Sequence, residues 1–276
     1  MTWRVDIEYD GTPFQGWARQ DNGPSVQAEL ERALAIALRL DRISLTVAGR
    51  TDAGVHALGQ VASFDYDGEV PDTIVRSLNG LTSPAIAVRA VSAAPDGFDA
   101  RRSALSRTYC YRLLLRRPDS PFSRDRAWWI SRSVDRELLE RCAVAIVGEH
   151  DFTAFTPTDT YHTRFSRVIH SADWITESGL VAPETSEISE TPETPEPGRR
   201  GHPVPESRGD SDFLQFWVTG DSFMRSMVRI LVGTMIDVAD GSRGIDDFHR
   251  LLGGAERPEA GMTAPPQGLY LVSVEY

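Results

Sequence analysis

A chain of 276 residues is long enough for one large domain or two modest ones around a real core. Its net charge of −11 and pI near 5.0 argue at first against nucleic acid, whose binders are expected to be basic. No apolar run approaches the roughly 20 residues needed to cross a bilayer, and the charged, strand-like start is no signal peptide.

Along the chain, Trp3, Val5, Ile7 and Tyr9 alternate with polar residues and predict a half-buried strand, followed by turn chemistry at Asp10-Gly11-Thr12-Pro13. Ser25 is placed to cap a helix whose Val26, Leu30, Ala33, Leu34, Ala37 and Leu38 share one face. A strand-like run from Ile43 to Ala48 leads into Gly49-Arg50-Thr51-Asp52-Ala53-Gly54-Val55-His56, and Gln60–Phe64 leads out. That string reads as a sharp loop at the end of a sheet, with glycines where backbone must turn or admit a ligand. A short helix near Pro71–Leu78 and a strand near Ala85–Val91 follow.

A second half begins near Arg101, dividing the chain into domains of 1–100 and 101–276. Leu105–Leu115 alternates like a strand, and Val134–Val147 is amphipathic, with Leu138, Cys142 and Ala145 at helical spacing. Trp174, Phe213–Val218 and Leu269–Val274 read as further strands. Phe223, Met227, Ile230, Leu231 and Val238 read as a mostly buried helix between Ser222 and the turn at Asp240-Gly241. Residues from about 183 to 212 are acidic, proline-rich and nearly free of apolar side chains, the composition of a flexible insertion looping out between two strands.

The two cysteines, Cys110 and Cys142, form no CxxC and read as buried free thiols in a reducing cytosol. His150, His162 and His170 have no spacing typical of metal ligation, so no metal site is expected. The chain contains no lysine, so all 29 basic residues are arginines. Arginine-only basicity on an acidic surface suits a protein working in concentrated salt, which makes a halophilic source one hypothesis and an ordinary solvated acidic enzyme the other. Near molar salt the Debye length is roughly 3 Å, so repulsion of RNA would be screened and clusters such as Arg101, Arg102 and Arg107 would bind phosphates at short range.

Taken alone, Asp52 is read most simply as a turn aspartate bonded to its own backbone. The whole string is more specific. It resembles the signature of the tRNA pseudouridine synthase A family, and further matches follow in family order over nearly the whole chain. They are Glu8–Trp17, Ser25–Glu31, Phe98–Arg101, Arg107–Tyr111, Gly148–Phe152, Met227–Thr234 and Thr263–Leu271. The resemblance implies an α+β fold, the pseudouridine synthase fold, in which two ferredoxin-like halves share a mostly antiparallel sheet with a catalytic cleft between them. It implies an isomerase acting without a cofactor on uridines at positions 38–40 of the tRNA anticodon stem-loop, in the cytoplasm and as a homodimer.

The reaction breaks the bond between uracil N1 and ribose C1′, turns the base and rejoins it through C5, with no redox change. It needs a carboxylate beside C1′, which the resemblance assigns to Asp52, as nucleophile or as the base that removes a sugar proton. Burial disfavours an ionised carboxylate, and a neighbouring cation offsets this. By resemblance Arg229 is that cation, its alternative being an ordinary surface arginine on an apolar helix. Tyr109 corresponds to the family tyrosine that stacks on the target base, its alternative being a plain sheet residue. Arg50 orients the loop or binds backbone phosphate, the alternative being a structural salt bridge. Asp10 and Gln60 are expected to help hold the cleft.

The sequence departs from the family at Asp99, where histidine is usual, and at Thr82-Ser83-Pro84; a carboxylate at 99 would repel phosphate. Two rival readings remain: a non-catalytic RNA-binding module that would not need Asp52, and a nucleoside hydrolase, weakened by the lack of a second carboxylate at catalytic spacing. A P-loop lysine, GxGxxG and HExxH are all absent.

Overall fold

The alternation that predicts the first strand builds β1 (Thr2–Tyr9), with Val5, Ile7 and Tyr9 buried. In the computed structural model, residues 1–21, 23–160, 163–176 and 212–276 are described. After β1 come α1 (Val26–Leu38), β2 (Thr46–Val47), β3 (His56–Asp65), α2 (Ile74–Leu81) and β4 (Ile86–Ala93). This β-α-β-β-α-β order, with antiparallel strands arranged β4-β1-β3-β2, is the ferredoxin-like motif.

The motif recurs with one extra edge strand. β5 (Ser106–Leu115), α3 (Arg136–Ala145), β7 (Gly148–Asp151), β8 (Ser166–Thr176), β9 (Phe213–Gly220), α4 (Met227–Ala239) and β10 (Leu269–Glu275) give the order β10-β5-β9-β8-β7. Within it β6 (Trp128–Ile130) lies parallel on β5, and α5 (Ile245–Leu251) follows α4. The two sets join where β10 runs parallel to β3, with Tyr270 opposite His56 and Leu271 opposite Ala57. The result is a ten-stranded, mostly antiparallel sheet in an α+β fold, as the sequence led us to expect. α1 packs on α2 and α3 on α4, and their apolar faces share one core with the sheet.

Several elements differ from their sequence-based outlines for local reasons. The strand expected over Ile43–Ala48 shrinks to Thr46–Val47, because the Leu45 N–H is drawn to the Glu31 carboxylate (2.9 Å) instead of to a strand. That carboxylate, buried on α1, also accepts from Gln27. α2 starts at Ile74, since the residues from Pro71 close a turn in which the Ile74 N–H reaches the Pro71 carbonyl. In α3 the fully buried residues are Leu139, Cys142 and Ala143, a face turned by one position from Leu138, Cys142 and Ala145. Two strands went unforeseen: the three-residue β6, and β7, whose Gly-Glu-His-Asp sequence carries no apolar alternation and is held by its ladder to β8. Ser25 caps α1 as expected, accepting from the Ala28 N–H. Except for Asp212, the acidic insertion lies outside the described residues.

Candidate active site

Asp52 lies in the loop between β2 and β3, and the N-terminal segment braces that loop from behind. The Trp17 N–H donates to the Thr51 carbonyl (3.1 Å), and the Gly54 N–H to the Phe14 carbonyl (3.3 Å). Gly16 makes this approach possible: its φ is +92°, and a Cβ there would lie 2.7 Å from the Thr51 carbonyl oxygen. From the sheet side, the Thr51 and Tyr9 hydroxyls pair at 2.8 Å, and buried Gln60 donates to the Tyr9 hydroxyl (3.2 Å) and the Gly49 carbonyl (2.8 Å). The opening motif and the aspartate loop, far apart in sequence, therefore form one rigid unit.

From the other half, α4 brings Arg229 over this loop. Its Nη1 donates to Asp52 Oδ2 at 2.9 Å while its Nε donates to the Ala264 carbonyl at 2.8 Å, and the Ala264 N–H returns to the Arg229 carbonyl. The guanidinium is thus held at two points, and the ion pair is mostly shielded, with side-chain exposures of 15% and 23%. Segment 261–264 can lie against α4 because of Gly233, where a Cβ would meet the Met262 carbonyl oxygen at 1.9 Å. Ser226, at the start of α4, also donates to Asp52 Oδ2, at 2.8 Å.

Tyr109 on β5 is buried beside the same loop, its hydroxyl 3.5 Å from where a Cβ on Gly49 would lie. Phe223 meets it at 5.1 Å between ring centroids, in an edge-on arrangement. Burial pushes the Tyr109 hydroxyl well above the usual phenol range, and the Tyr9 and Asp52 charges add to this against the pull of Arg107. The phenol is therefore neutral at any working pH.

The structure thus brings together Asp52, Arg229 and Tyr109. Arg50 stands apart, exposed and without a hydrogen bond or ion pair to any described residue. Asp10 does hold elements together. It pairs with Arg126 Nη2 at 2.6 Å and accepts from Thr12, and these contacts lower its pKa despite burial, which acts the other way. His56, stacked on Tyr270 at 4.7 Å, accepts the Gly11 N–H on Nδ1 and faces the Gln267 carbonyl with Nε2.

Arg107 corrects an expectation. Instead of standing free for phosphate, it is buried and donates to four main-chain carbonyls, those of Ala48, Arg101, Ala104 and Asp221. Arg101 and Arg102 remain exposed. Asp99 accepts from the N–H groups of both and from the Arg102 side chain, so its charge is engaged locally. Both cysteines are buried free thiols, and the described residues hold no cluster able to bind a metal. Sequence reasoning missed Ser226 and the Ala264 carbonyl. A serine just ahead of an apolar helix reads as a cap, and a carbonyl has no sequence signal at all.

A carboxylate in the first strand set is thus ion-paired to an arginine from the second, beside a buried tyrosine. Residues 7–101 and 142–276 match the family model described as tRNA pseudouridine synthase, and the chain belongs to that family. It is 38% identical to tRNA pseudouridine synthase A of Geobacter sp. (strain M21), over 99% of this chain and 98% of that protein. The enzymes of that name from Afipia carboxidovorans and Allorhizobium ampelinum are 37% and 35% identical, over 99% of this chain and 99% and 94% of theirs. A crystal structure of a Cbf5-Nop10-Gar1 complex aligns with 98% of this chain and 48% of that one at 12% identity and a TM-score of 0.35, too remote to bear on the site.

Proposed function

We propose that this chain converts uridines at positions 38–40 of the tRNA anticodon stem-loop to pseudouridine, with Asp52 as the acting carboxylate and no cofactor. The observation that carries the reading is the Asp52–Arg229 pair, 2.9 Å across the join between the halves, in a chain of this family. The target nucleotide leaves its stack, at a cost of a few kcal/mol, and enters beside Asp52. Arg229 pairs with the carboxylate and aims it, and Tyr109, neutral and shielded, meets the base with its ring. Asp52 then acts on the ribose C1′ region as nucleophile or as proton acceptor. Exposed Arg50, unengaged within the described residues, grips the phosphate backbone.

The division at residues 100 and 101 into two domains is part of the same proposal. It is supported by the recurrence of one strand order on either side of that point. So are a homodimer, which light scattering would reveal, and a cytoplasmic setting in which Cys110 and Cys142 stay reduced. A halophilic setting fits the lysine-free, acidic composition; activity that collapses as salt rises to molar levels would remove it.

The deciding experiment incubates wild type and Asp52→Asn with an unmodified anticodon stem-loop and maps pseudouridine by chemical labelling. The expected result is retained binding with isomerisation lost. Equal turnover by both proteins rejects the proposal.

A further inference from the structure

Two non-glycine residues among those described have positive φ, Arg39 and Ser226. Arg39 ends α1 in the left-handed conformation that commonly closes a helix. Ser226 ends no helix; it is the third residue of a turn closed by the Met227 N–H on the Met224 carbonyl (3.2 Å), a position of positive φ that glycine or asparagine normally fills. It precedes the first turn of α4 with φ 57° and ψ 4°, where a capping residue is normally extended, and its hydroxyl caps no helix N–H. The hydroxyl donates instead to Asp52 Oδ2 at 2.8 Å, the same oxygen that Arg229 Nη1 holds at 2.9 Å. Oδ1 accepts from no described residue.

We propose that Ser226 is a positioning residue: its strained backbone aims a hydroxyl that, with Arg229, pins Asp52 Oδ2 and leaves Oδ1 as the oxygen that meets the nucleotide. The inference rests on the reading of Asp52 as the acting carboxylate. A single donor fixes a distance but leaves the carboxylate free to turn, since the terminal torsion of aspartate is broad. Two donors three residues apart at one helix end fix the plane. Placement matters because a shift of about 1 Å at a reacting group can cost on the order of a hundredfold in rate. A left-handed, non-glycine residue beside a reacting group is the kind of local strain that persists where the surrounding structure demands it.

Ser226→Gly separates positioning from folding, because glycine adopts the left-handed conformation without steric cost while removing the hydroxyl. In the full chain, the expected result is melting no lower than wild type, an unchanged KM for the stem-loop, and kcat reduced about tenfold or more, the worth of a hydrogen bond to a charged group. Ser226→Asn, which tolerates the same backbone and carries an N–H donor, recovers most of the lost kcat. Wild-type kcat in Ser226→Gly overturns the proposal, as does a loss of kcat that only follows lowered melting. So does a failure of asparagine to restore any turnover. Asp52→Asn run alongside tells the two readings apart. If it is inactive while Ser226→Gly is fully active, only the serine assignment falls; if it is itself active, the reading of Asp52 falls too.

Discussion

Arg107 belongs to a run of arginines that by composition reads as a phosphate patch, yet its guanidinium is engaged by four main-chain carbonyls. Burial lowers its pKa from the ordinary arginine value, with Tyr109, Tyr276 and Asp221 pulling the other way, and it stays charged throughout the working range. Arg107→Met strands those acceptors and is expected to cost about 3 kcal/mol, read as a drop in urea midpoint at an unchanged slope. Arg229→Ala is different: stability falls by about 1–2 kcal/mol for the lost contacts to Asp52 and Ala264, but turnover falls by about a hundredfold or more, measured on the stem-loop. Asp52, Arg229 and Tyr109 were legible in the sequence only because a family pattern marked them. Nothing in an isolated Arg-Thr-Asp tells a turn from a catalytic loop. Ser226 was illegible because its role depends on a backbone angle and on a partner 174 positions away.

At the scale of elements, periodicity places most strands and helices, although the alternating run Ile43–Ala48 pairs only over Thr46–Val47. β1, α1, β5 and α4 announce themselves by alternation or by a broad apolar face. β7 and β6 exist because a neighbouring strand offers them partners, which sequence alone does not display. The loop holding Asp52 depends on the segment behind it, so Gly16→Ala should destabilise by about 1–2 kcal/mol from the backbone conformation alone. The clash with the Thr51 carbonyl adds to that, and kcat should fall because the loop is displaced. His56 gives a pH signature. Burial, the largest influence, lowers its pKa, with Arg126 acting in the same direction and Asp10 opposing. A histidine depressed in the folded state binds its proton more readily when unfolded. Its contribution to stability is therefore complete above the unfolded value of about 6.5 and shrinks as pH falls below it. The melting temperature should drop between neutral and mildly acidic pH, and His56→Gln should flatten that part of the curve.

For the whole molecule, a net charge of −11 on a surface without lysine sets the response to salt. Self-repulsion of like charges destabilises the compact state and is screened by added ions, so the melting temperature should rise as KCl is raised from low to molar levels. A steady fall instead would mean that arginine–carboxylate pairs such as Arg250 with Asp247 and Glu259 dominate over net charge.

The placement of β10 has a consequence for how the chain is made. Residues 269–275 insert between β3 and β5, so β3 waits for its parallel neighbour until more than 200 further residues have been made. During translation the early half can fold as a unit, but the platform under Asp52 is bordered on that side only when Tyr270 and Leu271 arrive. A polypeptide folded without that strand would thus be a silent precursor, its carboxylate loop in place but its platform open on one side.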